Sequence, residues 1–113
     1  MKVFIYGTLK RWGTAAHRLE GQQFLRDVRT ASLYRLVNCG DFPGLIRHSK
    51  GARIEGELWE IDEECRRRLD EYEGVPEGLY AFEQVAVEDM PEPVFAYFYL
   101  GDAASLEDAG VRW

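Results

Sequence analysis

The 113-residue chain predicts an α+β domain: a curled, mixed but mostly antiparallel sheet or small β-barrel, flanked by two short helices. Three observations carry that expectation. Roughly five to seven short runs rich in β-branched and aromatic residues recur along the chain. Only two stretches have the spacing and the end signals of a helix. No repeat, low-complexity tract or linker divides the sequence, so residues 1–113 read as one domain. With 46% hydrophobic and 13% aromatic residues the composition is globular. A chain of this size buries roughly two-thirds of its unfolded surface and needs no disulfide or metal to fold.

The elements follow in order. Lys2 to Tyr6 (KVFIY) is an apolar run that stops at Gly7 and reads as a buried strand. A loop, GTLKRWG, comes next, and Thr14 is the expected N-cap of a short helix through Leu19 that ends at Gly21. From Phe24 to Val37 a loose alternation predicts one or two strands with a bend near Asp27. Asn38 to Gly44 (NCGDFPG) is a loop, and Gly44 to Arg47 a brief strand. In Arg53 to Ile61, Ile54, Gly56 and Leu58 alternate with Glu55, Glu57 and Trp59, which predicts a strand with one wetter face. Asp62 to Tyr72 is the clearest helix: Asp62 suits an N-cap, Glu63 and Glu64 suit the positive end of the dipole, and Cys65, Leu69 and Tyr72 form one apolar stripe. Gly74 stands where a left-handed cap belongs, and Pro76 prevents continuation. Tyr80 to Val87 and Val94 to Leu100 are two more strands around a turn holding Asp89, Pro91 and Pro93, and the tail from Gly101 forms one helical turn or frays.

Charge and termini exclude several function classes. Fourteen Lys and Arg against 20 Asp and Glu give a net charge of −6, so no concentrated positive face is available for nucleic acid. The amino-terminal apolar run is too short for a secretory signal or a membrane span, and the expected location is the cytoplasm, without membrane association. Cys39 and Cys65 then read as free thiols. With His17 and His48 they are too few and too scattered for a zinc motif, and a Cys39–His48 nucleophilic pair has no local signature; no metal and no cofactor is expected. Arg66, Arg67 and Arg68 alternate with acids at helical spacing, which reads as ion pairing on a solvated face. The chain is expected to be a monomer or a homodimer.

Two constellations could carry chemistry. Tyr6-Gly7-Thr8-Leu9 ends the first strand, and a glycine there permits a positive φ at which successive N–H groups converge on a carboxylate or an oxyanion. The plain alternative is a strand ending in a turn. Glu73 closes the best helix, where the dipole is negative and Asp70 and Glu71 are near, so its pKa should rise if the site is partly dry. A carboxyl so placed can take and return a proton near neutral pH. The plain alternative is a solvated acidic patch.

Taken in order, YGTLKR (6–11), DFPG (41–44) and LDEYEGVPEGLY (69–80) resemble the gamma-glutamylcyclotransferase-like family, which includes gamma-glutamylamine cyclotransferases. YGTL alone is a modest signal; with a downstream EGV-x-x-G-x-Y it is specific. The resemblance runs from Lys2 to Leu100 and leaves 101–113 unmatched. It implies a small β-barrel flanked by helices. It further implies an intramolecular aminolysis in which the α-amine of a γ-glutamyl group attacks its own γ-carbonyl, giving 5-oxoproline and a free amine. By the same resemblance Glu73 is the general acid/base, Tyr6, Gly7, Thr8 and Leu9 hold the substrate, and Tyr99, which shares a face with Tyr97, lies near the pocket as a further substrate-binding residue whose hydroxyl could bond substrate. Trp12 intervenes before Gly13 where family members often have Gly, and is expected to cover the pocket mouth or to pack on the leaving-group side. A second reading keeps the pocket without turnover, as a binding module for a small carboxylate-bearing ligand.

Overall fold

The computed structural model describes residues 1–113, with strands β1 (Lys2–Ile5), β2 (Gln23–Arg29), β3 (Tyr34–Asn38), β4 (Pro43–Arg47), β5 (Glu55–Glu60), β6 (Tyr80–Val85) and β7 (Val94–Tyr99), and one helix, α1 (Glu63–Tyr72). The strands form one mixed sheet in the order β2-β5-β1-β7-β4-β3, with β6 on the remaining edge of β7. The α+β class and the strand positions agree with the sequence. The barrel does not close: a single bridge, Thr30 to Val87, ties the end of β2 to the segment after β6, whereas closure needs a continuous staggered ladder. Nor are there two helices. Residues Ala16–Leu19 make one 3-10 turn, with Ala15 rather than Thr14 at its start and no side-chain cap.

Period-two alternation in the central strand divides two apolar layers. Phe4 and Tyr6 face a core that includes Leu36, Leu45, Leu58 and Phe98. Val3 and Ile5 face a second core built from Leu9, Leu19, Trp59, Leu69 and Tyr97. That second layer corrects the expectation for β5: its supposedly wet face is buried, because the loop after β1, the 3-10 turn and α1 lie over it, and Glu57 is only 6% exposed. The Glu57 carboxylate is satisfied there, accepting from the Arg11 backbone N–H (2.9 Å), Arg11 Nε (3.0 Å) and Trp59 Nε1 (3.1 Å). The bend in β2 is a bulge between Phe24 and Arg26, ahead of Asp27. The tail does not fray: Asn38 N–H donates to Glu107 O (2.8 Å) and Ala109 N–H to Leu36 O (2.9 Å), docking it on β3.

The pairing of β7 shapes the site. β6 runs antiparallel along its whole length, from Tyr80–Tyr99 to Val85–Val94, so β1 and β4 must share the opposite edge. β1 pairs there in parallel at Lys2–Val94 and Val3–Phe95, then diverges, and β4 takes over at Leu45–Phe98. The Tyr6 phenol fills the fork. Its hydroxyl donates to Tyr97 O (2.6 Å) and accepts from Leu45 N–H (3.2 Å), linking β7 to β4 at the fork. Tyr6→Phe should therefore lower the unfolding free energy by roughly 1–3 kcal/mol, because two buried polar groups lose their shared partner. Urea denaturation checks this, and a loss under about 0.5 kcal/mol would show that the fork does not depend on the hydroxyl.

Candidate active site

A cavity of about 290 Å³ opens at the fork, between the loop that leaves β1 and the end of α1. Gly7, Thr8 and Leu9 form one wall. Gly7 does not adopt the positive φ expected of it; the left-handed residue in this loop is Trp12, at φ 69°. Glycine is required at position 7 by crowding, since a Cβ there would lie 2.9 Å from Pro43 Cγ. The N–H groups of Gly7, Thr8 and Leu9 donate to no acceptor in the protein, and all three residues line the cavity. The loop is anchored beyond them by Lys10 N–H to Gly7 O (3.1 Å), Ala15 N–H to Thr8 O (2.9 Å) and the Glu57 bonds to Arg11.

Glu73 lines the opposite wall. The helix starts as expected, with Asp62 Oδ1 accepting from Cys65 N–H (2.7 Å). It ends in a left-handed turn at Gly74, φ 73°, where Val75 N–H reaches Asp70 O (2.9 Å) and Gly74 N–H reaches Glu71 O (3.2 Å). That pair of bonds is a Schellman motif, and it puts Glu73 at the C-cap. Burial lifts the Glu73 carboxyl from its ordinary 4.5 to about 7, against the opposing pull of the Arg18 charge. The rise was expected from neighbouring acids, but burial supplies it. Asp70 is turned away, accepting the Tyr97 hydroxyl (2.7 Å), with Arg66 Nε at 3.4 Å in an ion pair without hydrogen-bond alignment.

Tyrosines complete the cavity. Tyr80 donates its hydroxyl to Pro43 O (2.9 Å) and Tyr97 to Asp70, and burial, helped by the Glu73 charge, raises the pKa of both. Tyr72 closes one side, its hydroxyl 3.5 Å from Thr8 Oγ1 and its ring under the Arg18 guanidinium at 3.9 Å. Two placements differ from the sequence reading. Tyr99 does not line the cavity; it packs edge-on behind Tyr80, with ring centroids 5.6 Å apart, in the space left by Gly44 and Gly101. Trp12 is 97% exposed and borders a separate polar groove beside Lys10 and Arg26, so it neither covers the mouth nor packs on it. Phe42, Pro43, Leu79 and Tyr80 also line the cavity. Their signal was their place inside DFPG and LDEYEGVPEGLY.

A family model described as Gamma-glutamyl cyclotransferase, AIG2-like, matches residues 3–113. The chain belongs to that family. The match includes residues 101–113, the tail that docks on β3. Gamma-glutamylaminecyclotransferase of Bos taurus is 36% identical over 107 residues, covering 86% of this chain and 63% of the bovine protein. The Homo sapiens gamma-glutamylaminecyclotransferase is 39% identical over 87 residues, covering 69% of this chain and 56% of its own length. The crystal structure of an AIG2-like protein from Mus musculus matches with a TM-score of 0.78 at 27% identity, covering 95% of this chain and 84% of the mouse chain. No helix here is long and apolar enough to cross a membrane.

The Glu73 environment has a signed consequence for stability. Its folded pKa, about 7, lies above its unfolded value near 4.5, so the folded state holds the proton more tightly. Stability falls as pH rises from about 4.5 to about 7 and stays lower above that. Glu73→Gln should therefore melt higher than the parent at pH 8, by roughly 1–3 kcal/mol, with the difference vanishing near pH 4. Melting curves across that range check it; an equal or lower melting temperature at pH 8 contradicts it. Gly74→Ala should destabilise by roughly 1–2 kcal/mol from backbone strain alone. Its Cβ would also stand 2.6 Å from Leu79 Cδ1, so the parent and variant unfolding curves should separate clearly.

Proposed function

We propose that the protein is a cyclotransferase that releases 5-oxoproline and a free amine from γ-glutamyl amines, amides or peptides. One observation carries the reading: Glu73, raised to a pKa of about 7, shares a cavity with three backbone N–H groups that have no acceptor in the protein. Membership of the family and the names of the bovine and human relatives support it.

The chemistry asks little of the protein. Nucleophile and electrophile belong to one molecule, so the site must fold the γ-glutamyl chain, carry two protons from the attacking to the leaving nitrogen and hold one oxyanion. Glu73 as carboxylate takes a proton from the α-ammonium, and the freed amine attacks the γ-carbonyl carbon. Negative charge gathers on the carbonyl oxygen, where N–H groups of Gly7, Thr8 and Leu9 receive it. Protonated Glu73 gives its proton to the departing nitrogen and the C–N bond breaks; Glu73 then takes the second proton from the attacking nitrogen and passes it to the released amine, so that 5-oxoproline and an ammonium ion result with no net change in protons. The Tyr6 hydroxyl takes no part, since both of its bonds go to the sheet. The Tyr6 contribution is its backbone, which starts the wall.

Incubation with γ-glutamyl-ε-lysine, γ-glutamyl-alanine and glutathione should yield 5-oxoproline from at least one. Glu73→Gln keeps the shape and removes proton transfer, so turnover should fall by roughly 10²-fold or more. Because the carboxylate is the form that starts the reaction, kcat/KM should climb with pH along an acid limb whose midpoint lies near 7. Undiminished turnover in Glu73→Gln would falsify the assigned role. Stabilisation by 5-oxoproline with no product from any substrate would instead favour a binding module.

A further inference from the structure

The outer part of the cavity has a chemistry of its own. Apart from Glu73 no acidic or basic side chain lines it. Its rim is made by Phe42, Tyr72 and Leu79, three of the chain's exposed large hydrophobic residues, at 43%, 39% and 57% exposure. Each is held in place. The Phe42 ring packs against Tyr80 at 6.4 Å, Tyr72 closes the last turn of α1, and Leu79 is set over the Cα of Gly74 with its N–H on Gly74 O (3.0 Å). The polar equipment, Glu73 and the loop N–H groups, lies on the cavity walls inside this rim. A γ-glutamyl group that engages it leaves its amine half among the three apolar side chains.

We infer that this rim selects γ-glutamyl amides whose amine half is an uncharged alkyl or aromatic chain. The inference rests on the cyclotransferase reading and adds the class of amine released. Apolar surface on the amine half would be covered by Phe42, Tyr72 and Leu79, at roughly a 2–4-fold gain per methylene. A second ammonium would find no acidic partner at the rim, and the Arg18 guanidinium, 3.9 Å from the Tyr72 ring outside the cavity lining, would repel it. A carboxylate is drawn to Arg18 yet shares the cavity with Glu73, so glutathione is the control that decides that point.

The test measures 5-oxoproline release, as kcat/KM, from the γ-glutamyl amides of methylamine, propylamine, pentylamine and phenethylamine, with γ-glutamyl-ε-lysine and glutathione alongside. The expected result is a rise of roughly 2–4-fold per methylene through pentylamine. γ-Glutamyl-ε-lysine, which has the pentyl length plus two charges, should fall about 10-fold or more below the pentylamide. Leu79→Ser and, separately, Phe42→Ser should flatten the dependence on chain length; both positions are partly solvated, so at least one variant should fold. Lysine or glutathione conjugates equal to or better than the pentylamide, or a slope that survives in both variants, would overturn the inference while leaving the cyclotransferase reaction standing. Absence of 5-oxoproline from every compound would overturn the reaction, and the inference with it.

Discussion

The site depends on a buried phenol. One edge of β7 serves two parallel strands in turn, and the backbone groups at that hand-over, Tyr97 O and Leu45 N–H, lie in a dry interior where incomplete hydrogen bonding costs a few kcal/mol. The Tyr6 hydroxyl meets both, as donor to Tyr97 O and acceptor from Leu45 N–H. Beyond the fork, the chain leaving β1 runs past the start of β4, where Gly7 meets Pro43. Three residues with unused N–H groups are thereby carried to the cavity wall. Gly7 is the tightest point of that passage, pressed against the Pro43 ring. Open sheets commonly place ligands where neighbouring strands part, and the same geometric reason applies here.

The facing wall is fixed by a different kind of constraint. A helix end is usually the least defined part of a helix, with four carbonyls lacking partners. In α1 the left-handed Gly74 returns two N–H groups to those carbonyls, and Leu79 packs over the glycine where no Cβ intervenes. Glu73 is thus positioned by backbone hydrogen bonds rather than by bonds to its own carboxyl, which leaves the carboxyl oxygens free for a ligand. The loop wall has a matching anchor in Glu57, which accepts two bonds from Arg11 just past the cavity and is itself held by a third from Trp59. Both walls are therefore held from outside the site.

Much of this was legible from local sequence. The Asp62 cap, the Gly74 stop and the place of Glu73 at the end of the helix each depend on neighbours within a few residues. What escaped depends on contacts between distant segments. Nothing near Tyr6 tells that its hydroxyl will be taken by residues 45 and 97 rather than by a substrate. Tyr97 and Tyr99 share a face, and alternation cannot say which one reaches the cavity; the small residues Gly44 and Gly101 draw Tyr99 aside. Glu57 looked solvent-facing because alternation marks two faces without saying whether a loop will cover the second. Barrel closure likewise turns on whether β2 and β6 meet in a full ladder, and only the residues just beyond them, Thr30 and Val87, form a bridge.

The Arg18 position explains why Glu73 is tuned rather than merely buried. A guanidinium in direct contact with a carboxylate near a protein surface is worth roughly 4 kcal/mol, about three pH units of stabilisation for the charged form. Such a contact would cancel the whole effect of burial and return Glu73 to an ordinary carboxylate. Arg18 instead lies over the Tyr72 ring, a cation–π placement that holds it close enough to act on Glu73 without forming a salt bridge. The balance settles near 7, where a carboxyl is a competent base and a competent acid within one reaction cycle. An ion-paired Glu73 would accept a proton poorly and seldom hold it long enough to pass it to a departing amine. The aromatic ring between cation and cavity is therefore part of the acid–base design under the proposed chemistry, although it touches neither the proton nor the bond that breaks.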